Sequence, residues 1–136
     1  MKPRDIKIRL VEASDRRLYT SWLEDPALQN WHFNIADSET EFQRVMRSRY
    51  NFLIVFEGIA VGHIAIQGDW GRSSCAEIGI MVIPSYHRRG IARVAAAEAI
   101  QIAFSREDIE EIWAGVLVDN EVATHFCRAV GFHADG

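Results

Sequence analysis

The sequence predicts an α+β fold, in which a mixed, mostly antiparallel sheet is flanked by helices in three layers. Two apolar runs, residues 52–56 and 61–66, are separated by a tight turn, and a third run covers residues 76–83. This succession indicates an antiparallel meander. A helical pattern over residues 91–104 and another strand pattern over 109–118 then indicate a strand–helix–strand unit, which adds one parallel pair.

The elements before the meander follow from local patterns. Residues 6–10 alternate apolar and polar side chains and predict a first strand with one buried face. Ser14-Asp15 offers an N-cap for a helix over residues 16–24, and a second short helix starts at Pro26. Residues 38–41, Ser-Glu-Thr-Glu, have the capping-box form and predict a third helix with Ser38 as its cap.

The later elements are bounded by turn residues. Glu57-Gly58 forms the hairpin turn, and Pro84 ends the third strand of the meander because proline cannot donate to a sheet. The helix over residues 91–104 is expected to bury Ile91, Ala95, Ala99 and Ile102. Residues 120–130 predict a final helix, and Gly131 fits the left-handed position that stops it.

Length and composition indicate one domain over residues 1–136. Of these 136 residues 49% are hydrophobic and 25% charged, which are ordinary globular proportions. The net charge of −4 argues against nucleic acid as a partner and suits a cationic amine better.

The compartment is inferred from what the chain does not show. No stretch approaches the ~18 apolar residues of a membrane span, so neither a signal peptide nor a membrane partner is expected. Cys75 and Cys127 are far apart and form no paired metal-ligand spacing. We therefore expect a cytoplasmic protein without a bound metal.

A basic turn between a strand and a helix is the main functional signal. The strand stops at Pro84, Gly90 opens the helix, and Arg88, Arg89 and Arg93 surround it. The first amides of a helix lack internal partners and carry the positive end of its dipole, so this segment predicts an anion site. The alternative is an ordinary strand–helix turn that needs a glycine. The segment fits neither a Walker loop nor a dinucleotide fingerprint.

Two segments resemble motifs of the GNAT N-acetyltransferase superfamily. Residues 87–92, His-Arg-Arg-Gly-Ile-Ala, resemble its motif A, Arg/Gln-x-x-Gly-x-Gly/Ala, although His87 departs from the first position. Residues 120–132 resemble the family's Asn-x-x-Ala…Gly-Phe helix, with Asn120 and Gly131 in place. The resemblance implies the GNAT fold and is closest to the branch that acetylates ribosomal-protein N-termini.

The resemblance also implies a cofactor and a reaction. The cofactor is acetyl-CoA, whose acetyl group passes to a primary amine, either a protein N-terminus or a small molecule, by direct attack in a ternary complex. The residues implied in cofactor binding are Ile80, Met81 and Val82 by their backbone, His87, Arg88, Arg89, Gly90, Ile91, Ala92 and Arg93 at the pyrophosphate, and Asn120.

Two side chains are candidates for proton transfer. Glu77 resembles the glutamate base of the histone-acetyltransferase branch; the alternative is a solvated glutamate on the outer face of the sheet. Cys127 stands where the ribosomal branch carries a tyrosine acid, and a thiol of pKa about 8.5 could protonate the departing CoA thiolate. The alternative for Cys127 is a small side chain packed beneath its helix.

Some expectations compete with this function or extend it. Because His87, Gly115 and Cys127 depart from the family pattern, a non-catalytic acyl-CoA-binding module is the alternative. Family members usually continue beyond Gly-Phe with further strands, whereas this chain ends at Gly136. Either the given sequence lacks the last strands of the domain, or another subunit completes the sheet. An unfinished sheet would leave an unpaired edge, so we expect a homodimer. Candidate acceptor-pocket residues are Trp31, His32, Phe33, Asp69 and Trp70.

Overall fold

The computed structural model describes residues 5–31 and 37–114, with residues 29–31 described by their backbone alone. Its strands are β1 (Ile6–Leu10), β2 (Tyr50–Phe56), β3 (Ile59–Gly68), β4 (Cys75–Val82) and β5 (Glu111–Trp113). Its helices are α1 (Arg16–Leu23), α2 (Ser38–Arg47) and α3 (Ile91–Arg106). Short 3-10 turns occupy Ala13–Asp15, Pro26–Trp31 and Pro84–Tyr86.

The described strands form one sheet in the order β1-β2-β3-β4-β5. Consecutive strands from β1 to β4 pair antiparallel, whereas β4 and β5 pair parallel across the crossover helix α3. Parallel neighbours need such a crossover because the chain must return to the starting end of the sheet. The predicted mixed, mostly antiparallel sheet is confirmed.

The sheet carries helices on both faces, which confirms the three layers. Since side chains alternate along a strand, the two faces bury different residues. Tyr50, Phe52 and Ile54 of β2 pack on the face covered by α3. The opposite face packs against α1 and α2 through a second buried cluster, which includes Tyr19, Trp22, Phe42, Val45, Leu53 and Met81.

The caps of the first two helices differ from the prediction. Asp37, not Ser38, is the N-cap of α2, and its carboxylate accepts from the amide of Thr40 at 2.7 Å. Ser38 instead donates its hydroxyl to Glu24 at 2.6 Å. Asp15 stands at the predicted N-cap position of α1, but its side chain makes no cap hydrogen bond there. Its carboxylate binds Arg9 at 2.8 and 2.9 Å and accepts from the amide of Glu12 at 2.7 Å. Other partners therefore occupy the Ser38 hydroxyl and the Asp15 carboxylate.

The buried side of α3 was predicted correctly except at its end. Ile91, Ala95 and Ala99 are buried, but the next position is Ala103 and not Ile102, which is half-buried. A strict spacing of four residues keeps these small side chains on one line, so the helix can approach the sheet closely.

The described part of β5 is shorter than predicted and starts later. It begins at Glu111 rather than Ile109, because the amides of Glu110 and Glu111 both donate to the carbonyl of Ser74. The rest of that strand, the final helix over 120–130 and Gly131 lie outside the described residues. So does the segment on which the expected homodimer rests.

Candidate active site

The backbone of β4 presents alternate residues to its two sides. The amide of Ile83 donates to the carbonyl of Val61 at 2.9 Å, and β3 and β4 pair in a regular antiparallel register. Because backbone groups alternate in direction along a strand, those of Met81 also face β3. The backbone groups of Ile80 and Val82 therefore face the other side.

On that other side, β5 pairs only with Cys75, Ala76 and Glu77. Beyond them, no ladder partner for β4 is found on this side among residues 5–31 and 37–114. We call the backbone groups of Ile80 and Val82 the open edge of β4. Unpaired amides and carbonyls at such an edge can take an added extended chain.

The open edge leads into the basic turn. Pro84–Tyr86 form a 3-10 turn, after which the amide of His87 donates to the carbonyl of Pro84 at 3.1 Å. The imidazole of His87 turns back, and its Nε2 lies 2.6 Å from the carbonyl oxygen of Val82. A carbonyl can only accept, so Nε2 carries the proton and donates.

The turn ends in a helix start without a side-chain cap. Gly90 is the N-cap of α3, in the left-handed conformation with φ 75°, and no side chain of its own caps the helix. Arg88 also has a positive φ, 64°, which is costly for a residue with a Cβ. The first amides of α3, at Ile91, Ala92 and Arg93, therefore form the start of a helix suited to an anion.

The three arginines differ in their surroundings. The guanidinium of Arg89 lies over the ring of Tyr86, 5.2 Å from its centre. Tyr86 in turn packs edge-on against Phe56, with ring centres 6.0 Å apart. Arg88 and Arg93 are exposed. Positive charge thus surrounds the turn, and one of the three guanidinium groups is held against the body of the protein.

Glu77 lies on the face of β4 that packs against α1 and α2. It shares this face with Gly79 and with the buried Met81, because alternate residues of a strand point the same way. Glu77 is half-buried, and within the described part of the chain its carboxylate has no hydrogen bond or ion pair. Among the described residues, a Cβ added to Gly79 would have no atom within 4 Å. None of these residues therefore fills the space beside Gly79 on the face of Glu77.

A buried polar group lies further along the same face. Nε2 of His63 is 3.0 Å from Oδ1 of Asn51, and the ring of Tyr19 stands edge-on to His63 at 4.9 Å. Burial, and next the charge of Glu41, raise the pKa of the Tyr19 hydroxyl. In the sequence, the signal for this pair is the polar Asn51 within the otherwise apolar strand β2.

The remaining predicted site residues do not lie beside Glu77 or are outside the described residues. Trp70 packs edge-on against Tyr50, with ring centres 5.3 Å apart, so it lies on the α3 face and away from Glu77. Asp69 is exposed in the turn after β3. Asn120, Cys127, His32, Phe33 and the side chain of Trp31 lie outside the described residues.

Comparison with known proteins decides the family. The model of the acetyltransferase (GNAT) family matches residues 14–132, which is most of the chain. The chain belongs to the GNAT acetyltransferase family. This confirms the resemblance inferred from the basic turn, and it makes the chain an acetyltransferase domain rather than a domain of unrelated chemistry.

Solved structures share the GNAT fold at low sequence identity. A GNAT-family acetyltransferase from Bacillus anthracis is 23% identical, with 97% of this chain and 82% of that chain covered and a TM-score of 0.80. Spermidine N-acetyltransferase from Vibrio cholerae, in complex with CoA and spermine, is 18% identical, with 98% and 83% covered and a TM-score of 0.83. Ribosomal-protein-S5-alanine acetyltransferase from Vibrio fischeri is 19% identical, with 97% and 81% covered and a TM-score of 0.82. No curated protein matches the sequence.

Two absences concern the described residues of this GNAT domain, 5–31 and 37–114. Among them, no helix has the length and apolar character to cross a membrane. Over the same residues, no group of three or more histidine, cysteine, aspartate or glutamate side chains is arranged to hold a metal ion.

Proposed function

We propose that this GNAT acetyltransferase transfers an acetyl group from acetyl-CoA to a primary amine by direct attack in a ternary complex. The observation that carries the proposal is the open edge of β4. It is followed, after the turn of residues 83–90, by the start of α3, which has no side-chain cap. The open edge suits an extended chain with amide groups, and the start of α3 suits a phosphate.

The described residues fit acetyl-CoA in two places. Its extended arm carries amides that can pair with the open edge, which is the backbone of Ile80 and Val82. The backbone of Met81 is already paired with β3, so Met81 would contribute only its buried side chain. The pyrophosphate would lie on the turn from His87 to Arg93, where free amides and arginine charge combine. Bound there, acetyl-CoA supplies an acetyl group activated as a thioester.

Glu77 is the proposed base. An amine attacks only when it is neutral, so near pH 7 a protein group has to take its proton. The Glu77 carboxylate is half-buried, faces the open space at Gly79 and, among the described residues, is not neutralised by a cation. It can therefore accept a proton from an amine that enters this space. Asn120 as a ligand of the cofactor arm and Cys127 as the acid remain parts of the proposal.

The proposed acceptor is a cationic primary amine, either a protein N-terminus or a small molecule. The chain is acidic, with a net charge of −4, and Glu77 lies at the open face. Both would favour a positively charged substrate. The Vibrio cholerae relative is in complex with spermine, a small-molecule amine, and the Vibrio fischeri relative is named for an alanine of a ribosomal protein.

Acetyl-CoA titration by calorimetry, followed by a CoA-release assay over a panel of amines, tests the proposal. The panel should contain spermine, peptides with a free N-terminus and an N-terminally blocked peptide as the control. We expect binding heat, and CoA release with a free amine but not with the blocked peptide. Absence of binding heat would contradict the proposal, and tight binding without turnover on any amine would favour the non-catalytic acyl-CoA-binding module.

A homodimer and a cytoplasmic location stay predictions from the sequence. Light scattering at high protein concentration tests the first. A mass that remains that of one chain would overturn it.

A further inference from the structure

His87 is bound to the protein itself at the position where motif A has arginine or glutamine. Its Nε2 donates to the carbonyl of Val82, five positions earlier in the chain, at 2.6 Å. This bond turns the imidazole back toward β4. The side chain therefore acts on the strand that precedes the turn.

The carbonyl that His87 binds belongs to the open edge of β4. Val82 is 9% exposed, and among the described residues no strand pairs with it on that side. A carbonyl oxygen shielded from water needs a hydrogen-bond donor, and among the described residues the imidazole N–H of His87 supplies one. A carbonyl oxygen has two lone pairs, so one remains for a cofactor amide.

The same bond fixes the geometry of the turn. His87 is held by its backbone amide on Pro84 at 3.1 Å and by its side chain on Val82. The next residue, Arg88, has a φ of 64°, and Gly90 has a φ of 75°. The left-handed conformations of Arg88 and Gly90 set the direction of the amides at the start of α3. His87, which precedes them, is held in place by its two hydrogen bonds.

We propose that His87 is a positioning residue, which orients the turn for the acetyl-CoA pyrophosphate through Val82 and makes no phosphate contact of its own. This inference rests on the proposed function. It predicts which side chains can replace His87, because the hydrogen-bond donor to the carbonyl of Val82 has to occupy the position of Nε2. The glutamine amide nitrogen reaches that place, whereas the asparagine amide nitrogen falls short, near Nδ1.

The test compares His87→Gln, His87→Asn and His87→Ala with the unaltered chain by calorimetry. The ligands are acetyl-CoA and 3′-phospho-ADP, which is the nucleotide half of CoA without the pantetheine arm. We expect His87→Ala and His87→Asn to weaken both ligands about tenfold, which is the size of one hydrogen bond, and His87→Gln to stay within about twofold. With a reactive amine, the loss should appear in KM for acetyl-CoA and not in kcat.

Three results would overturn the inference. Equal weakening by His87→Gln and His87→Ala would indicate a role specific to the imidazole, such as direct phosphate contact. Tighter acetyl-CoA binding by His87→Ala would indicate that His87 competes with the cofactor arm. Unchanged affinity in His87→Ala would show that the turn does not need the bond. If the unaltered chain itself gives no heat with acetyl-CoA, the proposed function fails, which is a separate outcome.

Discussion

Nε2 of His63 lies 3.0 Å from Oδ1 of Asn51, and the two side chains are each only 2% exposed. They join neighbouring strands β2 and β3 on the face covered by α1 and α2. Nδ2 of Asn51 finds no hydrogen-bond partner among the described residues. The pair is thus a polar contact inside an otherwise apolar layer, where losing one member exposes the other to an apolar environment.

Asn51→Val should destabilise the protein by about 1–3 kcal/mol, because it leaves His63 Nε2 without this partner in a buried site. The free energy of unfolding is measured by urea titration. A double-mutant cycle with His63→Leu is the control, since the double variant no longer contains the broken pair and should show a coupling energy. Strictly additive losses would contradict the interpretation.

Glu107 links the end of α3 to the start of β2 and should make stability pH-dependent. Tyr50 donates to it at 2.6 Å and Arg49 at 2.7 Å, and these two hydrogen bonds, in that order, hold the pKa of Glu107 below its ordinary value of 4.5. A lowered folded pKa gives stability that is present above the unfolded pKa and lost as pH falls through the folded one.

Glu107→Gln should therefore flatten the fall in stability below about pH 4.5. Thermal unfolding midpoints measured between neutral pH and pH 3 test this. Glu98→Gln, an exposed position on the same helix, is the matched control and should keep the slope of the unaltered chain. An unchanged slope in Glu107→Gln would argue against the link.

Arg88→Gly should raise stability by about 1 kcal/mol, because glycine adopts a φ of 64° without the clash of a Cβ. Gly90→Ala should lower stability by a similar amount, since Gly90 has a φ of 75°. Denaturant midpoints give both values. A stability loss in Arg88→Gly would mean that the arginine side chain contributes more than its backbone strain costs.

Glu77→Gln should lower kcat by at least about 100-fold near pH 7 while leaving acetyl-CoA affinity unchanged, because it removes the proposed base and not a cofactor contact. The loss should shrink as pH approaches the pKa of the acceptor amine, where the neutral amine no longer needs a base. Initial rates across pH, at saturating acetyl-CoA, measure it. A loss that stays constant with pH would assign Glu77 another role.

Gly79→Val should raise the KM for the acceptor without weakening acetyl-CoA, because a side chain there fills the open space next to Glu77. Stability should change little, since among the described residues the new Cβ would have no atom within 4 Å. Gly62→Ala is the contrasting variant on the adjacent strand, where the new Cβ collides with the carbonyl oxygen of Met81. An unchanged acceptor KM in Gly79→Val would place the acceptor elsewhere.

Elements set by local patterns were predicted well from the sequence. Residues 6–10 form β1 as expected, and the helix predicted over residues 16–24 is α1, Arg16–Leu23. Alternation, helical spacing and turn residues act within a few positions of the chain, so they can be read without the fold. Caps were predicted less well: the Ser38 hydroxyl binds Glu24 and the Asp15 carboxylate binds Arg9, so neither side chain caps its helix.

Sequence patterns alone were enough to predict the family, the mixed sheet and the strand–turn–helix unit in which Gly90 opens α3. Which backbone groups of β4 face β3 and which face the other side became known from the folded chain. Whether Ile80 and Val82 or Met81 face the open edge depends on the register with β3, and a shift of one residue would exchange them. The hydrogen bond from His87 to Val82 could not be predicted from the sequence either. A motif specifies the residue types, whereas the contacts between their atoms depend on the folded chain.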